Sequence, residues 1–171
     1  MTSSDPQPFE HSANWRDQQL LTRDDWMISI DDAERIQQVQ QNLEHGSGAA
    51  LIRGYDSSGK SDEENRQFFL EFASRIGTPI SQSAGGDLIF SVRDEGFGEK
   101  DPRTRGPNTS KKLSFHTDRC DVIAFLCLSQ AREGGENEIV SSIAVYNEIL
   151  KRRPDLLQQL LEPYYYKRHN V

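Results

Sequence analysis

His116 and Asp118 are the residues whose types and spacing could do chemistry, in the stretch SFHTDRCD at residues 114–121. Side chains two positions apart on an extended strand point to the same face, with their alpha carbons about 6.6 Å apart at ~3.3 Å per residue. One imidazole and one carboxylate are ligands that suit a first-row divalent metal ion. The spacing therefore predicts that the two side chains converge on one ion.

The alternative interpretation is a hydrogen-bonded loop histidine that precedes a buried strand. A His-x-Asp pair arises often by accident in a chain with 4 histidines, so the pair alone is weak support for a metal site. With a second histidine, the pair would complete the three-ligand face of a non-haem Fe(II) oxygenase, which leaves three coordination positions open. Taken without their surroundings, these two residues leave both interpretations open.

The elements that must position the pair predict an α+β architecture. Apolar stripes and start signals predict four helices, at residues 31–44, 61–77, 143–150 and 154–161. The start signals include a capping box formed by Ser61 and Glu64, and Pro154 in the first turn of the last helix. Strands are predicted at four segments, namely 48–55, 87–94, 122–128 and 138–142. The continuous apolar run VIAFLCL at 122–128 is expected to be buried on both faces.

Composition excludes several classes of protein. The net charge of −7 argues against nucleic acid as a partner, and no stretch approaches the ~20 apolar residues of a membrane span. Residues 1–28 are interpreted as a loose polar leader without a secretory signal, so we expect a cytoplasmic protein. Cys120 and Cys127 are too few and too far apart for a disulfide framework or a zinc site, and Cys127 is expected to be buried in the apolar run.

The order of the motifs resembles the taurine dioxygenase family (TauD/TfdA-like), whose members are Fe(II)- and 2-oxoglutarate-dependent oxygenases. The resemblance is carried by HTD at 116–118, the apolar strand after it, the turn at Gly134 and Gly135, a short segment ending in serine, and the helix that runs to Leu150. It implies a partial double-stranded β-helix (jelly roll, clavaminate synthase-like) with flanking N-terminal helices. This domain would cover residues 29–171.

The resemblance also implies roles for three residues. His116 and Asp118 match the family's first two iron ligands and are the expected catalytic pair. Asn137 falls where a hydroxyl commonly contacts 2-oxoglutarate, and its amide can donate to a carboxylate as a hydroxyl can. A surface turn is the equal alternative for Asn137. The expected cofactor and cosubstrate are Fe(II) and 2-oxoglutarate.

The implied reaction is hydroxylation of a small organic substrate by dioxygen, coupled to decarboxylation of 2-oxoglutarate to succinate. The Gly- and Pro-rich loop at 95–112 would line the substrate, and its Arg103 and Arg105 could meet an anionic one. Two arginines in an exposed loop are more often solvated surface. The substrate and the oligomeric state are not predicted.

The family's second histidine and its oxoglutarate-binding arginine lie well beyond the first pair. His169 is the only histidine after Asp118, and its place third from the end predicts an ordinary exposed residue. We therefore expect a chain that lacks the C-terminal part of the domain and turns over poorly alone. Two alternatives remain: a non-catalytic or truncated relative that serves as a small-molecule or protein binding module, and an unrelated cupin-like metal protein such as a hydrolase or isomerase.

Overall fold

The computed structural model describes residues 6–83, 85–97, 101 and 108–165. The chain divides into two compact units, one formed by Met1–Asp56 with Val140–Val171 and the other by Ser57–Ile139. Within the described residues there are five α-helices, one 3-10 helix and two short strands, so the architecture is mixed helix and strand. None of the helices in these ranges has the length and apolar character needed to cross a bilayer.

The first unit contains a two-stranded parallel sheet. Strand β1 (Met27–Ser29) pairs with β2 (Leu51–Arg53). Parallel strands need a crossover connection, and here α1 (Ala33–Gln37) and α2 (Val39–His45) provide it. The helix predicted over 31–44 is thus present as two short helices that meet at Gln38.

The core of the first unit is built by the segment that precedes β1. Trp15, Leu20 and Trp26 are buried and pack against one another. The indole nitrogen of Trp15 donates to the carbonyl oxygen of Ser47 at 2.8 Å, which ties this segment to the turn after α2. Composition predicts a loose polar leader over 1–28. Its described part instead supplies the core, because two tryptophans bury large apolar areas within an otherwise polar stretch.

Asn42 on α2 connects the backbone segments that precede the two strands. Its amide nitrogen donates to the carbonyl oxygens of Ala49 at 3.0 Å and Asp25 at 3.2 Å. Its amide oxygen accepts from the backbone nitrogen of Ser47, at 3.2 Å. One side chain therefore satisfies polar backbone groups beside β1 and before β2, a requirement for backbone removed from water.

Helices α4 (Ser142–Arg152) and α5 (Pro154–Leu160) complete the first unit. The hydroxyl of Ser141 caps α4 by accepting from the backbone nitrogen of Ala144 at 3.0 Å. The backbone of Phe9 donates to the side-chain oxygen of Asn147 at 2.8 Å, and the Asn147 amide nitrogen donates back to the Phe9 carbonyl at 2.9 Å. The backbone at Phe9 is thus attached to α4.

Helix α3 (Asp62–Ser74) belongs to the second unit, and its capping box is formed as predicted. The Ser61 backbone nitrogen donates to the Glu64 carboxylate at 2.7 Å, and the Glu64 backbone nitrogen donates to the Ser61 hydroxyl at 3.3 Å. The guanidinium of Arg66 donates to the carbonyl oxygen of Ile89 at 3.1 Å, so α3 is bonded to the irregular segment that contains Ile89.

The described residues of the second unit contain no strand, which contradicts the predictions for 87–94 and 122–128. Phe125 is 68% exposed, and Cys127 is exposed as well. The apolar run is therefore not a strand buried on both faces, because within the described ranges no neighbouring strand pairs with it and no second layer covers it. Residues 138–141 are also irregular. The expected partial jelly roll is not formed as a sheet in the described residues.

A matched pair of substitutions tests the core. The indole nitrogen of Trp26 is buried without a hydrogen-bond partner among the described residues, whereas that of Trp15 is satisfied by Ser47. Trp15→Phe and Trp26→Phe remove the same atoms from equally buried positions. We expect Trp15→Phe to lower the free energy of unfolding by about 1–3 kcal/mol more than Trp26→Phe. Urea denaturation followed by circular dichroism measures the difference, and equal losses would contradict the Trp15 hydrogen bond.

The carboxylate of Glu148 on α4 predicts a pH dependence of stability. It accepts hydrogen bonds from Arg16, at 2.6 Å, and from Arg152. These bonds hold the pKa of Glu148 below its usual value of 4.5, and the bond from Arg16 has the larger effect. The resulting stabilisation is complete above pH 4.5 and is lost as the pH falls through the lowered pKa of the folded state. Glu148→Gln should lower the Tm at neutral pH, and the difference should vanish in acid. Glu10→Gln, at an exposed glutamate of the same unit, serves as the control.

Candidate functional site

The candidate metal ligands lie in an irregular segment of the second unit. His116 and Asp118 are both exposed, and no helix or strand is assigned to residues 111–120. The alternation of an extended strand, which predicted a shared face, is therefore not what positions these side chains here. Both are open to solvent, so an ion can reach either of them.

A backbone hydrogen bond orients the ring of His116. Its Nδ1 lies 2.8 Å from the carbonyl oxygen of Ser114. A carbonyl oxygen can only accept, so Nδ1 donates, and the lone pair of the neutral ring is on Nε2. Histidines that bind metals in proteins commonly donate their other nitrogen to a carbonyl in this way. His116 thus has the tautomer that can ligate through Nε2.

The thiol of Cys120 lies near the carboxylate of Asp118. Although the side chain is exposed overall, partial burial of its sulfur raises the pKa of Cys120, and the negative charges of Asp118 and Asp121 raise it further. The thiol is therefore protonated at neutral pH.

Two glycines form a turn before Asn137. Gly134 and Gly135 have φ values of 74° and 80°, in the left-handed region that side chains disfavour. The sequence predicted this turn. Asn137 is exposed in the irregular segment beyond it, which leaves both its predicted contact with oxoglutarate and its alternative as a surface turn residue open.

An ion pair connects the segments that carry the predicted site residues. The ammonium group of Lys112 lies 2.8 Å from the carboxylate of Glu138, and this bond raises the pKa of Lys112. Lys112 stands four residues before His116, and Glu138 directly follows Asn137. The ion pair between these two long side chains thus connects the segment before His116 with the segment that contains Asn137. Nothing in the sequence pairs these charges, which are far apart along the chain.

The two ends of the long loop also meet. The backbone nitrogen of Glu95 donates to the carbonyl oxygen of Asn108 at 3.2 Å, which closes the base of the loop. Arg103 and Arg105, predicted to face an anionic substrate, lie outside the described residues, as does His169. Their predicted roles stay predictions.

Comparison with known proteins identifies the family. Residues 17–171 match the family described as taurine catabolism dioxygenase TauD, TfdA family. The chain belongs to the TauD/TfdA family. The match confirms the resemblance drawn from the HTD motif and rules out an unrelated cupin-like protein. TauD/TfdA proteins are oxygenases that generally depend on Fe(II) and 2-oxoglutarate and act on small molecules with dioxygen.

Two curated TauD/TfdA relatives match the chain. It is 37% identical over 123 residues to FR-33289 synthase of Streptomyces rubellomurinus, which covers 71% of this chain and 36% of that protein. It is 30% identical over 135 residues to taurine hydroxylase-like protein SAT17 of Stachybotrys chartarum, which covers 75% of this chain and 35% of that protein. The chain thus spans about a third of the length of these relatives. No solved structure matches.

The candidate ligands are of the chemical types that bind iron in TauD/TfdA proteins. An imidazole with a free Nε2 and an exposed carboxylate are two of the three ligands such a centre needs. Within the part of the chain that the structure describes, no three histidine, cysteine, aspartate or glutamate side chains gather where one ion could bind. Two of the donor types that such a centre needs are thus present, and their convergence on one ion stays a prediction.

The tautomer of His116 can be measured against an internal control. His11 has the opposite arrangement, because its Nδ1 accepts from the backbone nitrogen of Ala13 at 3.0 Å. At a pH where both rings are neutral, long-range proton–nitrogen NMR should show Nδ1 protonated in His116 and Nε2 protonated in His11. A His116 ring protonated on Nε2 would contradict the hydrogen bond to Ser114.

Proposed function

We propose that this chain carries the first two iron ligands, His116 and Asp118, of an Fe(II)- and 2-oxoglutarate-dependent oxygenase that hydroxylates a small organic substrate. The observation that carries the proposal is the family match over residues 17–171, within which these two residues stand in the HTD motif. The word hydroxylase in the name of the Stachybotrys relative supports the reaction type.

Two features of the chain's own residues support the proposed ligands. The Ser114 carbonyl holds the His116 ring with Nε2 free to coordinate. Asp118 presents an exposed carboxylate, the charged oxygen donor that a divalent ion requires.

The chemistry that Fe(II) and 2-oxoglutarate supply in such an enzyme is oxidative decarboxylation. Dioxygen and 2-oxoglutarate yield succinate and carbon dioxide, and the second oxygen atom enters a C–H bond of the substrate. The protein's contribution is to bind, orient and exclude water. Here Asn137 is proposed to donate its amide hydrogen to a carboxylate of 2-oxoglutarate, and the Lys112–Glu138 ion pair would keep that segment near the one carrying His116.

We further propose that residues 29–171 form part of a jelly-roll domain, with a third iron ligand and an oxoglutarate-binding arginine outside the described residues. Two findings support this proposal: the family match, and the fact that the chain spans about a third of the length of its relatives.

Anaerobic titration of the 171-residue chain with Fe(II), with and without 2-oxoglutarate, tests the proposal. Two donors should bind the ion weakly, and His116→Ala or Asp118→Ala should lower the Fe(II) affinity at least about tenfold, as the loss of a ligand or of its support does elsewhere. Asp121→Ala is the matched control, because it removes an exposed carboxylate of the same segment. Succinate production by the chain alone should be low.

The titration separates the competing interpretations. Fe(II) affinity that is unchanged in both ligand variants would contradict the proposed site and favour a non-catalytic binding module. A strong charge-transfer band with 2-oxoglutarate and rapid succinate formation would contradict the two-donor site, because it would show that the chain already supplies every ligand.

A further inference from the structure

Residues 7–9, here called the strap, contact helix α4 of the same unit through their backbone. The backbone nitrogen of Phe9 donates to the side-chain oxygen of Asn147 at 2.8 Å, and the amide nitrogen of Asn147 donates to the Phe9 carbonyl oxygen at 2.9 Å. The hydroxyl of Tyr146 donates to the carbonyl oxygen of Gln7 at 3.3 Å. Two neighbouring side chains of α4 thus bind three backbone groups of the strap.

The amide of Asn147 binds the strap as a neighbouring strand would. In an antiparallel pair, two opposite residues exchange both of their backbone hydrogen bonds, because the N–H and C=O groups of one extended residue point to the same side. A side-chain amide offers the same combination of one acceptor and one donor. Because this contact is made to the backbone, it suits any extended polypeptide that presents an N–H group at that position.

One side chain of the strap adds a preference for an aromatic residue. The rings of Phe9 and Tyr146 lie edge to face, with their centroids 4.8 Å apart and an angle of 65° between their planes. Aromatic pairs in this arrangement attract each other beyond the area that they bury. Phe9 nevertheless remains 54% exposed. The contact therefore favours an aromatic residue without enclosing it.

The sequence of the strap prepares it for this contact. Residues 6–9 read PQPF. The ring of Pro8 fixes its own backbone angle φ, and a residue that precedes a proline, here Gln7, is restricted to extended conformations. A segment that is extended before it binds loses little conformational entropy on binding. The strap thus has the properties of a peptide ligand.

The chain beside the strap is held by separate contacts. The carbonyl oxygen of Ser12 accepts from the guanidinium of Arg23 at 2.6 Å. The carbonyl oxygen of Ala13 accepts from the hydroxyl of Ser141, and Trp15 is buried in the core. The strap itself is exposed, and exposed segments with few buried contacts open locally at low cost. It can therefore leave α4 while the chain from residue 12 onward stays in place.

We propose that Tyr146 and Asn147 form a binding site for an extended polypeptide segment with an aromatic residue after a proline, and that the strap is its displaceable occupant. The family match begins at residue 17, so both site residues lie within it and the strap precedes it. An occupant on a short tether has an effective concentration on the order of millimolar. A polypeptide from outside binds only by displacing the strap, which thus regulates access to the site.

Titration of the metal-free 171-residue chain with a synthetic peptide tests the proposal, with no part of the proposed iron chemistry involved. The probe is residues 6–12, acetylated and amidated, and the NMR resonances of the Tyr146 ring report occupancy. Phe9→Pro in the chain removes both the N–H group and the ring that hold the strap. The peptide should bind this variant at least about fivefold more tightly than the wild-type chain, because it no longer competes with those contacts.

Two controls test the recognition of the backbone. In the Phe9→Pro chain, Asn147→Ala should weaken peptide binding by about fivefold or more, the effect of losing hydrogen bonds. Gln158→Ala, which removes an exposed side-chain amide from α5, should leave the binding unchanged. A peptide with N-methylphenylalanine at the position of Phe9 keeps the ring and lacks the N–H donor, so it should also bind about fivefold more weakly.

Each part of the proposal has a result that would overturn it. Tyr146 resonances that stay unchanged in both chains at millimolar peptide would show that the site does not exist. Equal affinities of the wild-type and Phe9→Pro chains would show that the strap does not occupy it. Equal binding of the N-methylated peptide would show that the backbone is not what is recognised. Circular dichroism verifies that the Phe9→Pro chain keeps its helices, as the exposure of Phe9 leads us to expect.

Discussion

An extended apolar segment is stable only when a neighbouring strand satisfies its backbone and a second layer covers its side chains, and this requirement separates the two units. In the first unit, β1 and β2 pair with each other, and Trp15, Leu20 and Trp26 provide a buried cluster. In the second unit, the run at 122–128 has neither partner within the described residues. Within the described residues, α3 is the only helix or strand of the second unit, and its own capping residues stabilise its start.

The same distinction explains which elements could be predicted. The starts of α3, α4 and α5 depend on Ser61, Ser141 and Pro154, which act on backbone groups within four residues, so local sequence suffices. A strand needs a partner that is distant in sequence, and no local pattern tells whether it is present. The tryptophan cluster was missed for a related reason. A leader that is polar on average can still hold a few large buried side chains.

For the candidate site, the sequence indicated which residue types could bind a metal. It did not indicate the hydrogen bonds and ion pairs that hold those residues and their segments. His116 and Asp118 could be selected because their chemistry and spacing suit a metal, and the family match agrees with the motif that they form. The carbonyl of Ser114 could not be predicted, since every residue has one and only the local backbone path brings it to Nδ1. The ion pair between Lys112 and Glu138 could not be predicted either, because the two residues are far apart along the chain.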